Sequence, residues 1–213
     1  NRTFTLEGLR GEGVELGGST LEQSSVPAAE FRKRMADLGL EAISRGTQKY
    51  RIEGKEEETI ADAVDLGCGI LCFTWGPCES KEQVLEDAEL YNRLGQRCKE
   101  AGLQLTYHNH NHEFTEFDGE TGYDILLGAA EPDLVHAHMD AGWVEFAGVD
   151  PAALIRKYAG RCPALHLRDT PSVEGGNAGN DGRKNVTWTE LGKGVLDLQK
   201  VVDAARESGV QWL

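Results

Sequence analysis

The chain has 213 residues, enough for one sizeable hydrophobic core. It carries 22 Lys plus Arg against 36 Asp plus Glu, a formal net charge of −14, and so acidic a surface argues against a nucleic-acid partner or an anionic membrane surface. No apolar run approaches the length that spans a bilayer, and five cysteines without a C-x-x-C pair argue against a disulfide framework and for a reducing, cytoplasmic setting.

In chain order, GVELGG (Gly13–Gly18) predicts a strand ending in a glycine turn. AAEFRKRMADLGL has helical spacing and LEAIS (Leu40–Ser44) is strand-like. EEETIADAVDLGC predicts a helix, and GILCFTWGP (Gly69–Pro77) a buried strand stopped by Gly-Pro. The longest helix is predicted over Ser80–Gly102, with Ser80 as N-cap, Gln83 at the capping-box position and Gly102 as the stop. LQLTYHNH predicts a strand, GYDILLGAA a short helix and LVHAHMDAGW a strand. A helix follows on DPAALIRKYAG, capped by Asp150 with Pro151 in its first turn. PALHLRD is a strand, KGVLDLQKVVDAARESG a helix, and VQWL begins another strand.

Seven strands alternating with helices imply a parallel sheet with crossover helices, either a closed (β/α)8 barrel or an open doubly wound sheet. The GxGxxG fingerprint of a dinucleotide fold is absent, and GKGVLDL (Gly192–Leu198) is only weakly phosphate-loop-like, so the barrel is preferred. The first residues read as the end of a helix whose strand is missing, and the last as half a strand. The expectation is a single (β/α)8 TIM barrel domain over residues 1–213, truncated at both ends and lacking its first strand and most of its last. The Gly/Asn-rich Ser172–Gly182 loop is either a lid over the site or an insertion.

All six histidines fall between residues 108 and 166. Strand parity sorts them. Leu103, Leu105 and Tyr107 face the helices, so Thr106, His108 and His110 face the barrel axis. By the same alternation His136, His138 and Asp140 point inward, as do His166 and Arg168, and near the start Glu15. Barrel active sites lie at the C-terminal ends of the strands. Burying so many polar groups there without partners costs several kcal/mol, and a divalent metal held by imidazoles and a carboxylate answers that cost. A purely structural polar cluster is the competing reading. Cys68, Cys72 and Cys78 are close in sequence, but plain thiols are preferred to a zinc knuckle.

At GVELGG, YHNHNHEF, MDAGWVEFAGVDPAALIRKYAGR, LHLRD and GKGVLDL the chain resembles the sugar phosphate isomerase/epimerase family of xylose-isomerase-like TIM barrels. The resemblance implies one divalent metal (Mn, Zn, Co or Mg) held by His108, Asp140 and His166, with His110 or Glu113 sharing the first position and a further Glu expected beyond Leu213. It implies isomerisation or epimerisation of a sugar or sugar phosphate through an enediolate. His110, Glu15 and Arg168 are the candidate catalytic groups, and Trp143, Trp75, Arg168 and His110 the candidate substrate contacts. Arg168 has an alternative role in a salt bridge with Asp169 or another carboxylate, and Trp75 in packing. His138 is read as lying behind the metal position and His112 as structural. Epimerase relatives carry a His where Trp143 stands, which weakens that assignment. The alternatives are a metal-dependent dehydratase or lyase of keto-polyols or keto-sugars, and an inactive sugar-binding barrel; a repair endonuclease is disfavoured by the charge. The expected partner is a small-molecule carbohydrate, with no nucleic acid, no membrane and room for a homo-oligomer.

Overall fold

The computed structural model describes residues 26–176 and 186–213 in full, and the backbone of residues 13–16. The strands are β1 (Gly13–Leu16), β2 (Glu41–Thr47), β3 (Ile70–Phe73), β4 (Gln104–His108), β5 (Glu116–Phe117), β6 (Glu120–Thr121), β7 (Val135–Asp140) and β8 (Ala164–His166). The helices are α1 (Ala28–Asp37), α2 (Lys49–Ile52), α3 (Glu56–Asp65), α4 (Lys81–Glu100), α5 (Gly122–Ala129), α6 (Ala141–Phe146), α7 (Pro151–Lys157) and α8 (Leu198–Glu207). β1-β2-β3-β4-β7-β8 form one parallel sheet in that order, the curled wall of a partial barrel. The expected seventh strand is a single parallel bridge, Ala164 to Trp212, with Leu165 N donating to Trp212 O at 3.0 Å. The turn at Gly17 and Gly18, the helix end read from the first residues, and the Ser172–Gly182 loop beyond Gly176 lie outside the described residues.

Alternation in the strands divides the interior as parity predicts. Leu105, Tyr107, Val135, Ala137, Met139 and Leu165 are buried on the helix side. Those of β4 and β7 face the stripe Val84, Ala88, Tyr91, Leu94 and Cys98 of α4, which recurs at helical spacing. Each fully buried large apolar side chain contributes roughly 1.5–3 kcal/mol. The axis side holds Ile70, Cys72, Ala164 and Trp212 as a small apolar layer. Register then sets polar residues side by side: Thr106 opposite His136, His108 opposite His138, and Asp140 opposite His166.

The ends of the elements follow local chemistry. Ser80 Oγ accepts from Gln83 N at 3.2 Å, but Gln83 Oε1 accepts from Glu79 N rather than closing a reciprocal box on Ser80. Asp150 Oδ1 accepts from Ala152 N and Ala153 N at the start of α7. Arg161 donates to three carbonyls, Leu127 O, Ala130 O and Val135 O, at 2.7 to 2.9 Å, tying the end of α5 to the start of β7. The β5–β6 hairpin turns on Asp118 and Gly119, both with positive φ, as a tight two-residue turn requires.

Three elements differ from expectation. β2 runs three residues further than Ser44, through Thr47. The predicted strand through Trp143 stops at Asp140, because Asp140 caps α6 at once. The helix predicted from Lys193 starts only at Leu198, because the preceding N–H groups turn onto a buried carboxylate described below. All five cysteines are free, and no metal-sized cluster among the described residues includes Cys68, Cys72 or Cys78. Burial pushes the Cys68 and Cys78 thiols up to about 12. No described helix is long and apolar enough to cross a membrane.

Candidate metal centre and active site

Three adjacent strand ends bring His108 of β4, Asp140 of β7 and His166 of β8 together, with one donor atom from each within 4.8 Å of the others. Asp140 Oδ2 lies 3.6 Å from His108 Nε2 and 3.2 Å from His166 Nδ1. The other oxygen, Oδ1, accepts from Trp143 N at 3.0 Å and caps α6. The carboxylate is therefore fully buried, with one oxygen fixed by a helix N-terminus and the other turned to the imidazoles. Asn109, also fully buried, holds the strand end. Its Oδ1 accepts from Asp140 N at 3.0 Å, and its Nδ2 donates to Asp140 O at 3.4 Å and His110 O at 3.2 Å.

Electrostatics favours neutral imidazoles. Burial, then the neighbouring His138, His110, His166 and Arg168, holds His108 well below the usual histidine range. Burial, then Arg168, His138 and His110, lowers His166 to about 3. A neutral imidazole keeps a lone pair for a cation. The His108 nitrogen that faces Asp140 is Nε2, so its lone pair is turned toward the carboxylate where a cation would sit. Two neutral imidazoles and a carboxylate on rigid strand ends are a donor set that suits a divalent transition metal, so the residues present fit such an ion.

The other predicted residues take distinct places. The His110 ring lies 5.2 Å from the His108 ring and 5.2 Å from that of Trp143, at the edge of the cluster. Arg168 Nε sits 2.8 Å from Asp140 Oδ2, and its terminal nitrogen 3.1 Å from His166 Nδ1. Its carboxylate neighbour is thus Asp140 rather than Asp169. Trp143 is 3 % exposed and its Nε1 is buried without a hydrogen-bond partner. Trp75 stands one ring further out: its ring is 6.0 Å from that of His112, which is 5.8 Å from that of His110. Glu15 lies on β1 in register with Ser44; its side chain is outside the described residues.

His138 stands behind His108, 5.9 Å between rings, with Nδ1 3.5 Å from Thr106 Oγ1. His112 is tied to Gly76 O through Nε2 at 2.9 Å. Glu113 does not join the metal cluster. It is buried on the helix side, where Oε1 accepts from the Tyr107 hydroxyl and Oε2 from His110 N, both at 2.8 Å, and burial raises its carboxyl.

Sequence reasoning missed Asn109, Trp188 and the carboxylate of Asp169. Trp188 comes from the connection after β8 and packs edge-on to Trp143 at 4.8 Å, with the Arg168 guanidinium 4.7 Å from its ring centre. Asp169 accepts from Thr170 N and Leu196 N through Oδ1, and from Gly192 N and Gly194 N through Oδ2, at 2.9 to 3.1 Å. The glycines of GKG thus cradle an anion, but the anion is the protein's own. The signals were present in RD, GKG and TWT, but no periodicity links them.

Comparison with known proteins agrees with this architecture. The chain is 30% identical over 194 residues to an inosose dehydratase of Lacticaseibacillus casei, covering 88% of this chain and 60% of the relative. The chain therefore spans about 60% of the length of the curated relative it matches. A sugar phosphate isomerase/epimerase of Parabacteroides distasonis superposes with a TM-score of 0.76 at 21% identity, over 94% of this chain and 73% of that one. An IOLI protein solved with a bound zinc atom superposes with a TM-score of 0.69 at 13% identity, over 94% of this chain and 76% of that one. Residues 11–213 match the family described as xylose isomerase-like TIM barrel. Parallel strands, polar residues at their C-terminal ends and this match across nearly the whole length lead to one conclusion: the chain belongs to the xylose isomerase-like TIM barrel family.

Proposed function

We propose that the chain carries the metal-holding and carbonyl-binding part of a dehydratase that acts on a cyclic keto-polyol by removing a proton next to the carbonyl. The observation that carries this reading is the His108–Asp140–His166 constellation in a chain 30% identical to an inosose dehydratase. These three residues would hold the ion. When bound, a divalent ion there supplies a Lewis acid for a carbonyl oxygen and its neighbouring hydroxyl.

The chain's own residues do the rest. Asp140 and the two neutral imidazoles fix the cation position on strand ends that Asn109 keeps rigid. Arg168 donates to a substrate oxygen from beside Asp140. His110 exchanges a proton with the carbon next to the carbonyl. The carbon–hydrogen electron pair moves into a new carbon–carbon double bond, and the hydroxyl one carbon further departs with a proton as water. Trp143 excludes solvent and offers an apolar wall to the ring. The partner is a small carbohydrate-like molecule.

Isomerisation shares the first step and differs in keeping the hydroxyl. The two are separated by incubating the protein with manganese or cobalt and a keto-inositol in deuterated water. Exchange at the carbon next to the carbonyl, with a product lighter by one water, is the expected result. Exchange with an isomer of unchanged mass would move the assignment to isomerase. Neither exchange nor product across keto-inositols and ketoses would remove both.

A further inference from the structure

The connection between β8 and α8 delivers Trp188 to the site with unusual care. Thr187 O, on one side of Trp188, accepts from Thr170 Oγ1 at 2.9 Å, a hydroxyl shared with Ser172 O at 2.8 Å. Thr189 N, on the other side, donates to Asp169 O at 2.9 Å, forming an antiparallel bridge. The next turn is tied to the same two residues: Val195 N donates to Thr170 O at 2.9 Å, and the Asp169 carboxylate takes the N–H groups of Gly192, Gly194 and Leu196. Asp169 and Thr170 are fully or almost fully buried. A carboxylate out of water needs compensation of this order, and four backbone donors supply it.

What this clasp presents is a ring under a cation. The Trp188 ring lies 4.7 Å from Arg168 Cζ and 4.8 Å from the Trp143 ring. Room for the pair is made at Gly142, where an added Cβ would lie 2.4 Å from Arg168 Cγ and 3.0 Å from Trp188 Cζ3. A guanidinium on a flexible stem loses rotamer entropy when it binds, so a ring that holds it beforehand lowers that cost.

We propose that Asp169 and Thr170 form a clasp that seats Trp188 beneath Arg168, and that Trp188 is the positioning residue which aims the guanidinium at the substrate. The effect on substrate binding rests on the dehydratase reading above; the seating itself does not. The clasp fixes the backbone on both sides of Trp188, the ring fixes Arg168, and Arg168 meets a substrate oxygen already oriented.

The seating is read by nuclear magnetic resonance of the Arg168 side chain, assigned by its loss in Arg168→Lys. A guanidinium over an indole carries a ring-current shift. That shift disappears in Trp188→Leu, persists in reduced form in Trp188→Phe, and diminishes in Thr170→Val, which keeps the side chain's shape but removes its hydrogen bonds to Thr187 O and Ser172 O. Asp169→Asn does the same if it folds, and Thr170→Val decides the matter if it does not. A shift unchanged in Thr170→Val overturns the clasp, and one unchanged in Trp188→Leu overturns the seat. In the keto-inositol assay, Trp188→Leu raises KM about tenfold with kcat little changed, the scale of a partly desolvated cation–π contact, and Trp188→Phe recovers part of the loss. A shift that behaves as expected in a protein without activity on any keto-inositol would leave the seating standing and remove the dehydratase reading instead.

Discussion

Asn109 makes no contact with a reacting group, yet it decides where Asp140 sits. Its amide is fully buried and spends both ends on the β4–β7 junction. Asn109→Ala leaves the Asp140 N–H and C=O without these partners and frees the strand end, and groups that orient ligands are worth about 10–100-fold in metal affinity. Calorimetric titration with zinc or manganese should show a loss of that size, with His108, Asp140 and His166 all present. The imidazoles give a second expectation. The unfolded chain protonates His166 near pH 6.5, the folded chain only at about 3, because burial and Arg168 oppose the charge. Between those values the unfolded state binds more protons, so stability falls as pH drops through this window. His108, also depressed, adds in the same direction. Urea midpoints between pH 7 and pH 4 should decline in the wild type and decline less in His166→Asn; equal slopes would contradict the depressed value.

At the scale of elements, α4 has a glycine at position 95 where helix propensity favours alanine. An added Cβ at Gly95 would lie 2.4 Å from Leu134 O, a backbone atom that cannot swing aside. Gly95→Ala should therefore destabilise the protein by about 1–3 kcal/mol in chemical denaturation, against the sign that propensity alone gives. The same contrast explains what could be read in advance. The long amphipathic helix at Lys81–Glu100 and the parity of β4, β7 and β8 were legible, because periodicity records which face is buried. Hence His108, Asp140 and His166 were placed correctly at neighbouring strand ends. The start of α8 was misread, because a carboxylate far along the chain captures the N–H groups that the pattern assigned to the helix. Trp188 was missed for the same reason: its position is set by Thr170 and Asp169, contacts that leave no period in the sequence. The Asp118-Gly119 hairpin was legible from its dipeptide and was overlooked.

For the molecule as a whole, a cation held by His108, Asp140 and His166 would tie three strands together and so couple occupancy to folding. A ligand at about 100 times its Kd adds about 2.7 kcal/mol. For a chain of this length that corresponds to a Tm rise of roughly 5–11 °C. Thermal scans with and without zinc or manganese should show it, and Asp140→Asn, which keeps a cap for α6 but loses the charge, should abolish it. The arrangement at Asp140 also separates what can change from what cannot. β7 passes directly into α6 at this residue, and its side chain is both the helix cap and the site carboxylate. One inserted residue would part the two roles. Among the described residues, the connection from β8 to α8 is held by its clasp at Asp169 and Thr170 and by the close approach of Gly176 to Phe146 O. Divergence among descendants of this chain is therefore channelled: the junction at Asp140 keeps its length, and new walls for new substrates have to come from segments where no single residue both caps a helix and faces the site.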